Sequence, residues 1–383
     1  MRLFSTSAET DNKDDGNRII LDRSKVVLIS RNQKVQTDIK NILKMHNVNN
    51  VVQKKVSLNE YLDDASTKDA GWMILDIEDE KDINAINDVT SLIVPYDVYY
   101  VLVGNTDSIA FAKSLEKSGG RYLYIDTQLN ELPDIVVKAL VHSTDRSTLR
   151  ISILGCKGGC GTTTVSSGIL SSLNKYTSVP CLLVQGATGS RDFDLITGHK
   201  LDSSDSKVQK ITDNRFMKFE SNNEMFNYTD PVFNQFNIAL FDHNATAIST
   251  ENLESIFNHS NTIVLIIGRN FSSFRTAKRI MDEYIRFERQ KTDSFMRKIV
   301  LCINEYNPGD NRNKFSNEDI SEYLGCEINV ILPHFQVRKE NDPFTQILQH
   351  LAATVLGRDK EDSKENTNIL SGFLNKINIF SKK

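Results

Sequence analysis

Short apolar runs alternate with stretches of helical periodicity between residues 24 and 142. In stretches such as Gln36–Met45 and Ile109–Ser118, apolar residues recur three and four positions apart, which predicts amphipathic helices between the runs. The runs predict strands at Lys25–Ile29, Val51–Lys55, Gly71–Leu75, Tyr99–Val103 and Arg121–Ile125. Because strands that alternate with helices usually pair in parallel, the pattern predicts a doubly wound α/β sheet.

A second alternation of the same kind begins at Ile151 and continues to about residue 357. Further strands are predicted at Val179–Val184, Phe236–Asp242, Thr262–Gly268 and Lys298–Asn304, and helices at Thr163–Asn174, Phe274–Arg289 and Ser316–Gly325. Residues 201–230, rich in Asn, Ser and Asp, are predicted to be irregular. The chain is therefore predicted to contain two doubly wound α/β domains.

A short linker at Val141–Leu149 is predicted to join two domains, which occupy residues 24–146 and 147–357 with the boundary inside the linker. Residues 1–23 are polar and charged without a period, and they predict a flexible tail. Residues 358–383 combine a charged linker with an amphipathic segment at 369–383. This segment fits a helix on a membrane surface or on a partner protein, or a terminal helix that packs on its own domain.

Composition and charge are those of an ordinary soluble protein. The net charge of −4 gives no bulk attraction to nucleic acid, so a nucleic-acid partner is not expected. No run approaches the ~20 apolar residues of a membrane-spanning helix, and the first 23 residues lack the apolar segment of a signal peptide. The five cysteines are scattered without a CxxC pair, which favours reduced thiols and a cytoplasmic location over a metal site.

The most informative stretch is a glycine-rich loop, Cys156-Lys-Gly-Gly-Cys-Gly-Thr-Thr163, which follows an apolar run and opens a helix near Thr162. Inward-facing backbone N–H groups and a helix N-terminus together favour a phosphate. In the general phosphate-loop pattern GxxxxGK[ST], Cys156 replaces the first glycine, Thr162 replaces the lysine, and Thr163 holds the position of a magnesium ligand. The alternative is a glycine-rich turn that binds no ligand.

This loop resembles the deviant Walker A motif, KGGxGKTT, of the MinD/ParA family. Loss of the second lysine resembles the TadZ/CpaE pilus-assembly branch of that family. The resemblance implies ATP and Mg²⁺ as cofactors and a homodimer in which Lys157 reaches the phosphates held by the partner. The nucleotide-binding residues that it implies are Lys157, Gly158, Gly159, Cys160, Gly161, Thr162, Thr163, Thr164 and Asn304, and the residues for Mg²⁺ are Thr163 and Asp242.

The chain departs from this family where a strand normally ends in two aspartates. Gln185 and Ala187 replace them, although the family's downstream Asp192-Phe-Asp194-Leu-Ile-Thr-Gly198 is kept. Phosphoryl transfer depends on positioning and on neutralising charge. A site that lacks the carboxylates of these two aspartates and also the loop lysine is expected to bind ATP with weak or no hydrolysis. No residue is therefore assigned a catalytic role.

The first predicted domain resembles a response-regulator receiver, a CheY-like sheet. Asp76, which ends the third predicted strand, matches the phosphoacceptor position. The acidic residues expected after the first strand are replaced by Ser30-Arg31-Asn32, and no lysine follows the fifth strand. We therefore predict a pseudo-receiver used for docking or localisation, with Asp76 as a degenerate phosphoacceptor candidate.

These features together predict an assembly and localisation factor for a Flp/Tad-type pilus, a type IV-like secretion system. Its predicted partners are a second copy of itself and the secretion machinery, with a peripheral position at the inner membrane or cell pole if residues 369–383 contact a membrane surface. Three alternatives remain: an active MinD/ParA-type ATPase for cellular positioning or partition, a receiver phosphorylated at Asp76, and a scaffold without nucleotide.

Overall fold

The computed structural model describes residues 25–62, 66–67, 69–138, 147–186, 193–220, 226–290, 297–306, 315–334 and 343–358. The chain divides into two units, Met1–Ser147 and Thr148–Lys383. The predicted tail at 1–23, the amphipathic segment at 369–383 and most of the predicted linker lie outside the described residues, as do Ala187 and Asp192.

The N-terminal unit is built on five parallel strands in the order β2-β1-β3-β4-β5. The strands are β1 Lys25–Ile29, β2 Val51–Lys54, β3 Ala70–Asp76, β4 Tyr99–Gly104 and β5 Arg121–Tyr124. The helices are α1 Gln33–Met45, α2 Ile83–Ile93, α3 Ile109–Lys117, α4 Ile125–Gln128 and α5 Leu132–Lys138. This strand order is the doubly wound order found in flavodoxin and CheY.

Alternate residues of the central strands supply the two hydrophobic cores of this unit. Leu28 and Ile74 belong to one core, whereas Val27 and Met73 belong to the other. Because successive side chains of a strand point to opposite faces, a strand that is apolar at every position must be covered on both sides. This explains why the strands appear in the sequence as continuous apolar runs.

The C-terminal unit contains an eight-stranded sheet in the order β13-β12-β11-β6-β10-β7-β9-β8. Its strands are β6 Leu149–Gly155, β7 Cys181–Gln185, β8 Gln209–Thr212, β9 Arg215–Phe219, β10 Ile238–Asn244, β11 Thr262–Ile267, β12 Lys298–Asn304 and β13 Val330–Leu332. All neighbours pair in parallel except β8 and β9, which are antiparallel. The predicted fold class, α/β with two sheets built from parallel strands, is confirmed.

The helices of this unit are α6 Thr162–Ser172, α7 Phe193–Thr197, α8 Thr250–His259, α9 Phe271–Gln290, α10 Asn317–Leu324 and α11 Pro343–Val355. Helix α10 has the start and stop signals that the sequence predicts. Ser316 and Asp319 form a reciprocal capping box, and Gly325 ends the helix in the left-handed conformation with φ of 74°. Within the described part of the chain, no helix has the length and apolarity needed to span a membrane.

The prediction that residues 201–230 are irregular is wrong for Gln209–Thr212 and Arg215–Phe219, which form β8 and β9. Strand β9 pairs in parallel with β7 and in antiparallel fashion with β8, so this segment completes one edge of the sheet. The strand was hidden because Arg215 and Lys218 interrupt its apolar residues, yet both of these side chains are buried. Charged residues that are buried through hydrogen bonds or ion pairs break the hydrophobic period on which strand prediction depends.

Candidate functional site

The glycine-rich loop connects the carboxyl end of β6 to the first residue of α6. Gly159 and Gly161 have φ angles of 75° and 85°, a left-handed conformation that glycine adopts without steric cost. The first helical hydrogen bond of α6 runs from the N–H group of Val165 to the carbonyl of Gly161, at 2.9 Å. The N–H groups of Thr162, Thr163 and Thr164 have no acceptor among the described residues, so they remain available to an anion at the helix N-terminus.

Asn304, at the carboxyl end of β12, supports this loop from the side. Its Nδ2 donates to the carbonyl of Cys160 at 2.9 Å, and the side chain is buried. A Cβ atom at Gly161 would overlap the same Nδ2 atom. The resemblance implied a nucleotide-binding role for Asn304, and that role stays a prediction, whereas its hydrogen bond to the loop is a role that sequence reasoning missed.

Thr162, in the position of the missing lysine, turns back towards the start of the loop. A Cβ atom at Gly155 would overlap Thr162 Oγ1, and Cys160 Sγ lies 3.4 Å from the same oxygen. A short hydroxyl side chain therefore occupies the space beside the loop backbone. Unlike the expected lysine, it adds no positive charge there.

Three polar side chains meet beside the first turn of α6. Thr163 Oγ1 donates to Asp242 Oδ2 at 2.8 Å, and Gln185 Nε2 donates to Thr163 Oγ1 at 3.2 Å. Asp242 and Gln185 are paired across the neighbouring strands β10 and β7, which brings both to the carboxyl edge of the sheet next to the loop. The structure therefore brings together Thr163 and Asp242, the two residues predicted for Mg²⁺.

These groups fit a nucleotide with a magnesium ion. Mg²⁺ takes oxygen ligands, and Thr163, Asp242 and Gln185 supply a hydroxyl, a carboxylate and an amide oxygen. Oε1 of Gln185 is buried and accepts no hydrogen bond within the described ranges. Thr163 and Asp242 would hold the cation, which when bound neutralises phosphate charge.

Lys157 differs from the other polar residues of the loop because its charge is not engaged. The residue is partly exposed, and its ammonium group forms no ion pair or hydrogen bond with any residue that the structure describes. Gly158 and Gly159, which follow it, are exposed. Lys157 is therefore available to an anion at the surface of the loop.

His243 follows Asp242 but takes part in a separate buried chain of hydrogen bonds. Its Nε2 lies 2.9 Å from Tyr228 Oη, which in turn lies 3.1 Å from Ser152 Oγ. Ser152 Oγ lies 2.8 Å from Ser260 Oγ, which ends the chain. Burial lowers the pKa of His243 to about 3, so the ring is neutral near pH 7. Nothing in the sequence indicates this chain of hydrogen bonds, because its partners are 15 to 108 positions apart.

Asp76, the phosphoacceptor candidate of the N-terminal unit, ends β3 and is 3% exposed. Its carboxylate accepts hydrogen bonds from Ser30 Oγ and from the N–H group of Glu78, and burial raises its pKa. The carboxylate lines a cavity of about 340 Å³ together with Glu78, Asp79 and other residues of the β3–α2 connection. The role of Asp76 as a degenerate phosphoacceptor candidate remains a prediction.

Comparison with known proteins gives structural similarity only. No family model and no curated protein sequence matches the chain. Among solved structures, the MinD cell division protein of Aquifex aeolicus is 16% identical with a TM-score of 0.41 and covers 55% of this chain and 98% of its own. A ParA family ATPase of Chlorobium tepidum is 14% identical with a TM-score of 0.39, covering 54% and 99%. A putative plasmid partition protein of Borrelia burgdorferi, solved with AMPPNP, is 13% identical with a TM-score of 0.39, covering 56% and 100%.

Proposed function

We propose that this protein is an ATP-binding, MinD-like dimer that assembles and positions a Flp/Tad-type pilus secretion machine. The observation that carries this proposal is the loop, in which Lys157 has no partner among the residues that the structure describes, while Thr162 stands where a second lysine is expected. The N–H groups at the start of α6, which have no acceptor in the described part of the chain, and the contact between Thr163 and Asp242 support the binding of ATP with Mg²⁺.

The same site supports binding without efficient hydrolysis. Thr162 brings no charge to the transferred phosphoryl group, and Gln185 is neutral where relatives of this type have an aspartate. Phosphoryl transfer gains most of its rate from positioning and charge neutralisation. The proposed role is therefore that of a nucleotide-held scaffold, with Lys157 joining two copies across bound ATP.

In this proposal the N-terminal unit acts as a pseudo-receiver that docks the protein at its place of assembly. Asp76 is the residue through which phosphorylation would act if the unit kept that chemistry. Contact of residues 369–383 with a membrane surface, and a position at the inner membrane or cell pole, belong to the same proposal. The secretion machinery is the proposed partner.

The function is tested by measuring ATP binding and ATP turnover on one sample of the full chain. We expect saturable binding of ATP with Mg²⁺, together with turnover far below the 1 s⁻¹ or so that marks the slow end of ordinary enzymes. Rapid turnover would instead favour an active MinD/ParA-type ATPase for positioning or partition. Absence of binding would leave a scaffold that keeps the loop and lacks the ligand.

Lys157→Ala is expected to weaken the ATP-bound dimer while leaving the fold unchanged. A hydrogen bond to a charged group contributes about 1.5–3 kcal/mol, which corresponds to a rise of roughly 10–100-fold in the dimer dissociation constant for each of the two Lys157 side chains that are lost. Sedimentation velocity with ATP and Mg²⁺ measures this constant. Lys200→Ala, which removes an exposed lysine of the same unit, is the matched control. Equal dimer affinity for Lys157→Ala and wild type would contradict the role of Lys157 across the dimer.

A further inference from the structure

Gln185 is nearly inaccessible to solvent and lies at the carboxyl end of β7. It is 1% exposed, and its own carbonyl accepts a hydrogen bond from the N–H group of Glu220 at 2.9 Å. The backbone of this residue is therefore fixed on one side by β10 and on the other by the end of β9. Its side chain is held in one place beside Thr163.

The direction of the hydrogen bonds determines how this amide is oriented. Asp242 as a carboxylate can only accept, so the Thr163 hydroxyl must donate its single proton to Asp242. The Thr163 oxygen is then an acceptor for its other neighbour, and Gln185 must present its N–H₂ group to it. The amide oxygen Oε1 is consequently turned away from the Thr163 hydroxyl.

That oxygen is buried and accepts no hydrogen bond in the described part of the chain. Buried polar atoms without a partner are rare and destabilising in folded proteins. Because only the amide carbon separates Oε1 from Nε2, the unpaired oxygen lies next to the residues that would hold the cation. An acceptor in this position suits a donor that arrives with the ligand.

We propose that Gln185 is a ligand-contacting residue of this site, with its N–H₂ group fixing the Thr163 hydroxyl and its Oε1 accepting a hydrogen bond from a water molecule of the magnesium–triphosphate complex. This inference rests on the proposed nucleotide-binding function. An aspartate at this position could not make the same arrangement, because it would compete with Asp242 for the one proton of Thr163. Glutamine here is thus a functional part of the site and more than a lost carboxylate.

The test uses the full chain, with ATP as the probe, in the presence of Mg²⁺ or of EDTA. Gln185→Met keeps the length of the side chain and removes both its donor and its acceptor. Its affinity for ATP with Mg²⁺ is expected to fall about tenfold, the value of one hydrogen bond. Its affinity for ATP in EDTA is expected to match wild type, because the amide contacts the cation complex and not the loop backbone.

Thermal unfolding without nucleotide separates this role from a structural one. The melting temperature of Gln185→Met is expected to stay close to that of wild type, because the lost hydrogen bond to Thr163 is offset by removal of a buried acceptor that has no partner among the described residues. A purely structural glutamine would give a lower melting temperature and an unchanged effect of Mg²⁺ on ATP affinity. That result would overturn the inference.

Gln185→Leu, which also removes both the donor and the acceptor, provides the second variant if the methionine variant does not fold. The Mg²⁺-dependent gain in ATP affinity is expected to fall about tenfold in this variant as well. A gain equal to that of wild type would contradict the inference while leaving the proposed function intact. Failure of the wild-type protein to bind ATP in either condition would remove the function and this inference together.

Discussion

Gly161→Ala is expected to weaken ATP binding by about 100-fold or more. Gly161 has φ of 85° and ψ of 25°, and an alanine in this left-handed conformation costs about 1–2 kcal/mol. The new Cβ atom would also overlap Nδ2 of Asn304. The loop can relieve both strains only by changing the backbone that is proposed to bind the phosphates.

The loss is large because the strain cannot be confined to one residue. Asn304 can move away from a Cβ atom at 161 only by giving up its hydrogen bond to the carbonyl of Cys160. The substitution therefore disturbs the loop backbone and its side support at the same time. A shift of about 1 Å in a positioning group is enough to cost on the order of 100-fold in function.

Isothermal titration calorimetry of the full chain with ATP and Mg²⁺ measures this effect. Gly158→Ala is the control for strain, because a Cβ atom at Gly158 meets nothing within 4 Å and the residue does not have a positive φ. We expect Gly161→Ala to lower the melting temperature clearly and Gly158→Ala to leave it close to wild type. An alanine at 161 that neither lowers the melting temperature nor weakens ATP binding would contradict the strained loop.

The sequence predicts most of the sheet architecture because the strands are buried on both faces. Such strands appear as short apolar runs, and the helices between them keep a 3.6-residue period, so the two patterns are easily separated. Local signals also predict the ends of individual elements, such as the capping box of Ser316 and the glycine stop at 325. Strand β9 could not be predicted in this way, because Arg215 is buried through hydrogen bonds to carbonyls that are distant in the sequence.

For the candidate site, the sequence predicts which residues lie on the loop and at the strand ends but not how they contact each other. Thr163 and Asp242 are 79 positions apart, and their contact follows only from the pairing of β6 with β10. Gln185 looks like a loss when it is compared with a family motif, whereas the structure shows it donating to Thr163. Hydrogen-bond direction depends on all partners at once, and a motif contains no information about it.

Arg215 is the clearest case of a residue whose role only the structure reveals. It is 2% exposed and has no carboxylate partner in the described ranges. Its guanidinium donates to the carbonyls of Leu170, Thr177, Val179 and Asn214 at 2.8–3.2 Å. One side chain of β9 thus ties together the last turns of α6, the segment that leads into β7, and its own strand.

Arg215→Met is therefore expected to lower the free energy of unfolding of the C-terminal unit by roughly 2–4 kcal/mol. All four hydrogen bonds to the guanidinium are lost, although the carbonyl of Asn214 keeps the N–H group of Cys181 and that of Val179 keeps the Cys181 thiol. A cation near the carboxyl end of α6 is also favoured by the helix dipole. Arg215→Lys is expected to give an intermediate loss, since one ammonium group cannot reach all four carbonyls.

Denaturant unfolding of the full chain measures this loss, with an internal reference in the chain itself. Trp72, the only tryptophan, is buried in β3 and reports on the N-terminal unit, whereas far-UV circular dichroism reports on both units. We expect Arg215→Met to move the circular-dichroism transition to lower denaturant and to leave the Trp72 fluorescence transition in place. Arg286→Met removes an arginine whose side chain is 64% exposed and should change stability by less than about 0.5 kcal/mol. Equal losses of unfolding free energy for the two substitutions would mean that the buried guanidinium contributes no more than a surface charge. The hydrogen bonds of Arg215 would then not account for the stability of β9 in the sheet.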